Sequence, residues 1–266
     1  MGSLDGKVAV ITGASRGIGE AIAIGFAREG AEVAVAARTA DDLERVAGEC
    51  RRVGAAPLAV TTDITREADV ENLVSAAVER FGRIDSFVAN AGTSYPNLTD
   101  KRYRELSGYD LDVVDQIVKV NLTGTWLCIK KALEVMKEGG SLITIGSETG
   151  RLLYPGAGIY SITKAAVDAL TTLTAREAAS QGVRVNCLSP GAMVDTHLFG
   201  PNKMPDFLKQ QHGYLEPEVM VPAAVWLASD DSSGVTGAFL VAKEFNERPL
   251  EETREILTSA PRGQRL

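Results

Sequence analysis

Residues 8–23 read Val-Ala-Val-Ile-Thr-Gly-Ala-Ser-Arg-Gly-Ile-Gly-Glu-Ala-Ile-Ala. The apolar run that ends at Thr12 predicts a strand, and the amphipathic run that starts at Ile18 predicts a helix. Between them, glycines at 13, 17 and 19 let the backbone turn tightly and approach a pyrophosphate seated on the amino end of the helix. A plain strand-to-helix connection is the alternative, but this context favours a nucleotide site in an α/β fold.

The same alternation continues along the chain and predicts the architecture. Seven short runs rich in β-branched residues are predicted strands, at 8–12, 32–37, 58–62, 84–89, 141–145, 183–188 and 238–241. Longer amphipathic stretches are predicted helices, at 18–29, 41–53, 68–81, 113–136, 159–179 and 218–228. Strands that alternate with helices form right-handed crossovers. The sequence therefore predicts a single-domain, doubly wound (Rossmann) α/β fold, whose parallel seven-stranded sheet carries helices on both faces.

Composition and charge limit the other possibilities. The chain has 266 residues, 45% of them hydrophobic, which suffices for one core, and we place the nucleotide-binding Rossmann domain at residues 1–245. The formal net charge is −7 with no basic stripe, so nucleic acid is not an expected partner. No stretch is long enough to cross a membrane, and the amino terminus is typical of a first strand rather than a signal peptide. The three cysteines lack metal-ligand spacing, so we predict no metal, reduced thiols and a cytoplasmic protein.

A tyrosine and a lysine four positions apart suggest the chemistry. Tyr160 and Lys164 would share one face of the predicted helix, where the ammonium can stabilise the ionised phenol. An unperturbed tyrosine has a pKa of about 10, whereas a catalytic acid works best when its pKa is near the operating pH. The pair therefore predicts proton transfer by Tyr160, although each residue alone is compatible with an ordinary helix surface.

Four motifs in order carry a family resemblance. They are Gly-x-x-x-Gly-x-Gly at 13–19, Val-Asn-Leu-Thr-Gly with Asn121, Ser147 at the end of a predicted strand, and Tyr160-Ser-Ile-Thr-Lys164. Over nearly its whole length the chain resembles the short-chain dehydrogenase/reductase family, and its closest general resemblance is to 3-oxoacyl-carrier-protein reductase-like members. The resemblance implies an oxidoreductase that moves a hydride between a nicotinamide cofactor and a ketone or secondary alcohol, in some members a 3-oxoacyl thioester.

The resemblance also implies roles for four catalytic residues. Tyr160 exchanges a proton with the substrate oxygen, and Ser147 hydrogen-bonds that oxygen as charge develops on it. Lys164 holds the nicotinamide ribose and lowers the pKa of Tyr160. Asn121 holds a water that relays protons from Lys164 to solvent.

The end of the second predicted strand indicates which nicotinamide cofactor binds. An acid there would bind the adenosine ribose and repel a 2′-phosphate, but this chain has Ala37 followed by Arg38. Arg16 in the glycine-rich turn adds a second guanidinium that could reach a phosphate. We therefore expect NADP(H), although either arginine alone fits an ordinary surface charge.

Further cofactor contacts follow from the resemblance. Asp63 matches the residue that binds adenine, and Asn90 matches the asparagine that steadies the sheet; a local cap and a tight turn are their alternatives. Thr196 stands one position later than the threonine of the family motif Pro-Gly-x-x-x-Thr. The complete expected set is Gly13, Ser15, Arg16, Gly17, Ile18, Gly19, Arg38, Asp63, Ile64, Asn90, Ala91, Gly92, Tyr160, Lys164, Pro190, Gly191, Val194 and Thr196.

The remaining segments predict a substrate pocket and an assembly. Irregular sequence at about 195–217, with His197 and His212 in packing roles, predicts a lid, and the stretch 93–110 its opposite wall. Residues 246–266 are expected to form a polar, solvated C-terminal extension with one short helix, or to cross a subunit boundary. By family analogy the chain forms a homo-oligomer, a dimer or a homotetramer.

Two other functions remain open. One is a sugar, polyol or steroid-type alcohol dehydrogenase, which shares the same motifs. The other is a non-catalytic nucleotide-binding sensor or scaffold, although the intact Ser147, Tyr160 and Lys164 argue against it.

Overall fold

One parallel sheet organises the computed structural model, which describes residues 2–94, 105–153, 158–196, 198 and 214–259. Within these residues the sheet has seven strands in the order β3-β2-β1-β4-β5-β6-β7. Their bounds are β1 Val8–Thr12, β2 Glu32–Ala37, β3 Leu58–Thr61, β4 Ser86–Ala89, β5 Gly140–Ile145, β6 Val183–Ser189 and β7 Phe239–Val241. The strand order reverses between β1 and β4, which places a ligand crevice at the carboxyl ends of these two neighbours.

Helices cover both faces of the sheet, as the sequence predicts. In the described part of the chain they are α1 Gly17–Arg28, α2 Ala40–Arg52, α3 Glu67–Phe81, α4 Leu111–Val118, α5 Thr125–Val135, α6 Thr149–Leu152, α7 Gly158–Glu177, α8 Val221–Ala228, α9 Ala242–Glu247 and α10 Leu250–Ser259. Helices α1, α2 and α8 share one buried apolar cluster with the sheet, and α3, α5 and α7 share another. Neighbouring residues of β1 alternate between them, since Ile11 belongs to the first cluster and Val10 to the second.

The predicted helix at 113–136 is interrupted, which the sequence pattern did not indicate. Residues Lys119–Gly124 form a π-helical segment between α4 and α5. A Cβ atom on Gly124 would lie 2.7 Å from Ile64 Cδ1, so the helix comes close to the chain that follows β3. The same segment carries Asn121, whose buried side chain is hydrogen-bonded away from the helix. A π turn is often found where a helix presents a functional side chain.

The C-terminal region packs more tightly than a solvated extension. Helix α9 crosses the expected domain boundary at 245/246, because it spans Ala242–Glu247. Helix α10 places Leu257, which is only 9% exposed, in the same apolar cluster as α1 and α2. Residues 260–266 lie outside the described residues. No helix in the described part of the chain combines the length and the apolar character that a bilayer crossing requires.

Candidate active site

Side-chain hydrogen bonds of Thr12 and Asn90 join the carboxyl ends of β1 and β4. The Thr12 hydroxyl accepts the backbone N–H groups of Asn90 and Ala91 at 3.1 and 3.2 Å. In return, Asn90 Nδ2 donates to the carbonyl oxygens of Thr12 and Gly13 at 2.8 and 3.2 Å. Asn90 therefore fixes the start of the glycine-rich turn against the central strand, and sequence reasoning placed it at this position.

The glycines of the glycine-rich turn have no room for a side chain. Gly13 and Gly17 have φ values of +66° and +59°, in the left-handed region that favours glycine. A Cβ on Gly19 would lie 2.3 Å from the Gly13 carbonyl oxygen and 2.4 Å from Asn90 Nδ2. Arg16 is the N-cap of α1, and its side chain makes no capping hydrogen bond. A bare backbone at a helix amino end without a side-chain cap suits the pyrophosphate of a dinucleotide, so these residues fit the cofactor that the sequence implies.

At the end of β2 and β3, positive charge surrounds an acid. Asp63 Oδ1 accepts hydrogen bonds from the Thr65 backbone N–H at 2.9 Å and from the Thr65 hydroxyl at 2.8 Å. Partial burial works to raise the pKa of Asp63, but the two Thr65 hydrogen bonds and the charges of Arg38 and Lys119 together hold it below its ordinary value. Asp63 is therefore an ionised carboxylate that orders the turn before α3, and it lies close enough to Arg38 to interact electrostatically.

Helix α7 buries the predicted tyrosine and lysine. Tyr160 is 9% exposed and Lys164 is 7% exposed. Lys164 Nζ donates to the Ile145 carbonyl oxygen at 2.7 Å and lies 5.6 Å from the centre of the Tyr160 ring. Burial lowers the pKa of Lys164 to about 8, because the interior disfavours the charged ammonium. The ammonium thus lies beside the tyrosine ring, at the end of β5.

Asn121 links this helix to the segment after β4. Its Oδ1 accepts the Thr93 N–H at 2.8 Å, and its Nδ2 donates to the Thr93 carbonyl at 2.8 Å and to the Thr163 hydroxyl at 3.1 Å. Thr163 in turn donates to the Tyr160 carbonyl at 2.7 Å. Both amide hydrogens of Asn121 are used, so a water held there would have to donate to one of its oxygens. A Cβ on Gly92 would lie 3.4 Å from Asn121 Oδ1 and 3.8 Å from Lys164 Nζ, which brings the three residues together.

Ser147 has a neighbour that sequence reasoning missed. The Ser147 and Thr149 hydroxyls are 2.9 Å apart, and the Thr149 backbone N–H donates to Ser147 Oγ at 3.3 Å. Gly150 comes so close to α7 that a Cβ there would lie 2.7 Å from the Ala165 nitrogen. A hydroxyl two positions after a serine at a strand end was the available signal, because such side chains form local turns.

The segment after β6 returns to the glycine-rich turn. Gly191 has a φ of +89° and packs so closely that a Cβ would lie 2.5 Å from Val241 Cγ1. Val194 forms a parallel bridge with Leu215, in which Asp195 N–H donates to the Leu215 carbonyl at 3.0 Å and Leu215 N–H to the Met193 carbonyl at 2.8 Å. The methyl group of Thr196 lies over Gly17, since a Cβ on Gly17 would be 3.0 Å from Thr196 Cγ2.

Parts of the expected pocket lie outside the described residues. These parts are 197 and 199–213 of the lid, which include both histidines, and 95–104 of the opposite wall. Residues 154–157, between Ser147 and Tyr160, also lie outside them. The described residues therefore cover the glycine-rich turn, the carboxyl ends of the strands and α7, and only part of the expected substrate pocket.

The three cysteines are buried and far from being reactive thiolates. Burial raises the pKa of Cys50 to about 11, and of Cys128 and Cys187 to about 12. Among the described residues no group of three or more histidines, cysteines and acids could hold a metal ion.

Several known proteins are similar to this chain over most of its length. Residues 13–243 match the family described as Enoyl-(Acyl carrier protein) reductase. An uncharacterized NAD-dependent oxidoreductase of Mycobacterium tuberculosis is 32% identical, over 89% of this chain and 94% of its own length. The 2,5-dichloro-2,5-cyclohexadiene-1,4-diol dehydrogenase LinX of Sphingobium indicum is 36% identical, over 89% of this chain and 94% of its own length.

Solved structures show the same similarity. A short-chain type dehydrogenase/reductase from Mycobacterium marinum superposes with a TM-score of 0.78 at 33% identity, covering 90% of this chain and 94% of its own. The 3-ketoacyl-(acyl-carrier-protein) reductase from Brucella melitensis, complexed with NADH, superposes with a TM-score of 0.78 at 33% identity, covering 89% of this chain and 96% of its own.

Proposed function

Because the chain belongs to the short-chain dehydrogenase/reductase family and is an oxidoreductase that acts on alcohol or ketone groups, we propose that it exchanges hydride between NADP(H) and a ketone or secondary alcohol. The observation that carries the proposal is the convergence of Lys164, Asn121 and Gly92 at the carboxyl edge of the sheet, next to the Tyr160 ring. A buried ammonium beside a tyrosine ring, at the edge of the sheet where α/β proteins bind their ligands, supports proton transfer at this position.

The preference for the 2′-phosphate rests on charge at the end of β2. Ala37 leaves no acid to repel a phosphate, and Arg38 and Arg16 are both exposed at that edge. Lys119 adds a third positive charge that acts on Asp63 together with Arg38. A related protein is named NAD-dependent and a neighbouring structure holds NADH, so the choice between the two cofactors is the finer part of the proposal.

The remaining cofactor contacts follow the arrangement of the crevice. The glycine-rich turn, with Ser15 and Ile18, holds the pyrophosphate, and Thr196 closes over it from the β6 side. Asp63 and Ile64 border the adenine, Asn90, Ala91 and Gly92 support the floor, and Pro190, Gly191 and Val194 border the nicotinamide. When bound, the nicotinamide ring supplies or accepts the hydride.

The protein's own chemistry is proton transfer and orientation. In the reducing direction Tyr160 donates its phenolic proton to the substrate oxygen, and in the oxidising direction the phenolate accepts it. The Ser147 hydroxyl donates a hydrogen bond to the same oxygen, where negative charge develops. The Lys164 ammonium, held by the Ile145 carbonyl, favours the ionised form of Tyr160. Asn121 sustains a water that returns protons to Lys164, with that water donating to one of its oxygens.

Two substrate classes have support from relatives. A 3-oxoacyl thioester is the first candidate, because the Brucella melitensis neighbour is a 3-ketoacyl-(acyl-carrier-protein) reductase. A cyclic diol or a related secondary alcohol is the second, because LinX is a diol dehydrogenase. We place the protein in the cytoplasm as a homo-oligomer, whose contacts would use exposed apolar side chains on α5 and α7 such as Trp126, Ile162 and Leu173.

The test is a fluorescence titration with NADPH and with NADH, followed by cofactor oxidation with 3-oxoacyl thioesters and ketones, and by the reverse reaction with alcohols and diols. We expect tighter NADPH binding and turnover on one carbonyl class. Tyr160→Phe keeps the ring and loses the proton, so it should bind cofactor and lose nearly all turnover. Tighter NADH binding would reject the NADP(H) assignment, and binding without turnover on every substrate would favour a sensor or scaffold.

A further inference from the structure

An arginine from α2 reaches across to the glycine-rich turn. Arg45 Nη1 donates to Glu20 Oε1 at 2.5 Å and Nη2 donates to Glu20 Oε2 at 3.0 Å, so the guanidinium grips both carboxylate oxygens. Its Nη2 also donates to the Ser15 carbonyl oxygen at 2.9 Å. One side chain therefore binds the first turn of α1 and the loop before it at the same time, in the planar geometry that favours bidentate pairing.

The partner of this arginine is an acid in an unfavourable place for a phosphate-binding helix. Glu20 lies in the first turn of α1, and its side chain is 24% exposed. A carboxylate there stabilises the helix through its dipole. However, it repels a pyrophosphate that binds at the same helix end, because like charges at short range in a partly buried setting interact strongly. Without a compensating cation, the first turn of α1 would carry an unpaired negative charge next to the glycine-rich turn.

The second contact fixes a peptide group of the turn. In a trans peptide the carbonyl and the following N–H point in opposite directions, and the described residues include no cis bond. Arg45 holds the Ser15 carbonyl towards α2, so the following N–H, that of Arg16, points away from α2. A phosphate-binding loop needs N–H groups and not carbonyl oxygens facing its ligand.

We propose that Arg45 is a positioning residue for the phosphate groups of the nicotinamide cofactor, acting by cancelling the charge of Glu20 and by holding the Ser15 carbonyl away from the ligand. This inference rests on the proposed cofactor binding. It assigns a specific role to an arginine that lies outside the glycine motif and comes from a different helix.

The test is cofactor affinity, measured by fluorescence or calorimetric titration of the full chain without substrate. The variants are Arg45→Met, Glu20→Gln and the double variant, with Arg51→Met as the matched control. Arg51 lies on the same helix and forms an exposed pair with Glu44 at 2.8 Å, so its loss should leave the dissociation constant unchanged. We expect Arg45→Met to raise the dissociation constant about tenfold or more, which is the size of a lost charge-assisted contact.

The double variant separates positioning from a merely structural effect. If Arg45 cancels the charge of Glu20, removing that charge should recover a large part of the lost affinity, while Glu20→Gln alone should bind at least as well as the unaltered protein. The recovery should be incomplete, since the Ser15 carbonyl remains without its donor. Raising the salt concentration should narrow the gap between Arg45→Met and the unaltered chain, because salt screens the uncompensated carboxylate.

Two results would overturn the inference. One is an unchanged dissociation constant in Arg45→Met, and the other is a weakened Arg45→Met that Glu20→Gln does not improve, which would indicate general damage to the fold. If the unaltered protein bound neither NADPH nor NADH, the proposed function itself would fall, and the role of Arg45 with it.

Discussion

Replacing Lys164 with methionine should abolish turnover without weakening the fold at neutral pH. Burial lowers the pKa of Lys164 from 10.5 to about 8. Each pKa unit corresponds to about 1.4 kcal/mol, so at pH 7 the native state carries a penalty of roughly 3 kcal/mol for keeping this ammonium charged. Removing the lysine also leaves the Ile145 carbonyl without its donor, at a cost of about 1–3 kcal/mol. The two effects oppose each other, and we expect Lys164→Met to be at least as stable as the unaltered protein at pH 7.

The pH dependence identifies the cause. Between pH 8 and pH 10.5 the unfolded lysine still binds the proton that the native lysine has lost. The unfolded state then binds more protons, so the free energy of unfolding of the unaltered protein rises with pH in this window. Lys164→Met lacks this contribution. Its stability advantage over the unaltered protein should therefore shrink by roughly 1 kcal/mol between pH 7 and pH 9.

The assay is urea unfolding followed by circular dichroism at pH 7, 8 and 9, without cofactor. Taking the difference between the two proteins cancels the titration of the groups that do not interact with Lys164. Lys137→Met is the control, because it replaces an exposed lysine with the same side chain as in Lys164→Met. A constant difference between Lys164→Met and the unaltered protein would show that the ammonium is not desolvated, and would refute the reasoning.

Three further substitutions probe other parts of the site and the fold. Gly19→Ala would place a Cβ 2.3 Å from the Gly13 carbonyl oxygen. We therefore expect the free energy of unfolding, measured with a chemical denaturant, to fall by about 2 kcal/mol, and the fluorescence of bound cofactor to be much weaker. An unchanged free energy of unfolding would contradict the predicted steric clash. Thr149→Val removes the hydroxyl that lies 2.9 Å from that of Ser147, so we expect kcat to fall about fivefold. Thr149→Ser keeps the hydroxyl and should retain the original kcat. Equal kcat values in the two variants would contradict a role of the Thr149 hydroxyl in orienting Ser147. Leu257→Ala leaves a cavity at a buried position of α10 and should lower the free energy of unfolding by about 2–3 kcal/mol. The exposed control Glu251→Ala should lower it by less than about 0.5 kcal/mol. Similar losses in the two variants would contradict the packing of α10 against the core.

The fold was predictable because its signals are local. Apolar runs, amphipathic stretches and the glycine-rich turn predicted all seven strands to within two residues, together with their parallel direction. The π segment at Lys119–Gly124 carries no local sequence signal, and the close approach of Gly124 to Ile64 there joins residues that lie far apart in sequence. The packing of α10 against the core was not predicted either, because its sequence is mostly polar and contains one buried leucine, Leu257.

The site was predictable in its residue types and not in its contacts. The spacing of Tyr160 and Lys164 placed both on one helix, and the structure buries both. The Lys164 contact with the Ile145 carbonyl, which lies on another element, carries no sequence signal. Arg45 carried no sequence signal either, because an arginine on an amphipathic helix is usually a solvated surface charge. Only its contact with the Ser15 carbonyl in the structure distinguishes it.

The parallel bridge between Val194 and Leu215 bears on how the protein tolerates changes in the length of the segment between them. The bridge holds Val194 and Leu215 beside each other, so the two ends of the segment that joins them have a fixed separation next to β6. The entropy cost of closing a flexible loop grows slowly, by about 0.6 kcal/mol for each doubling of its length. We therefore expect insertions and deletions between these two fixed ends to cost little stability and to leave β6 and the glycine-rich turn in place.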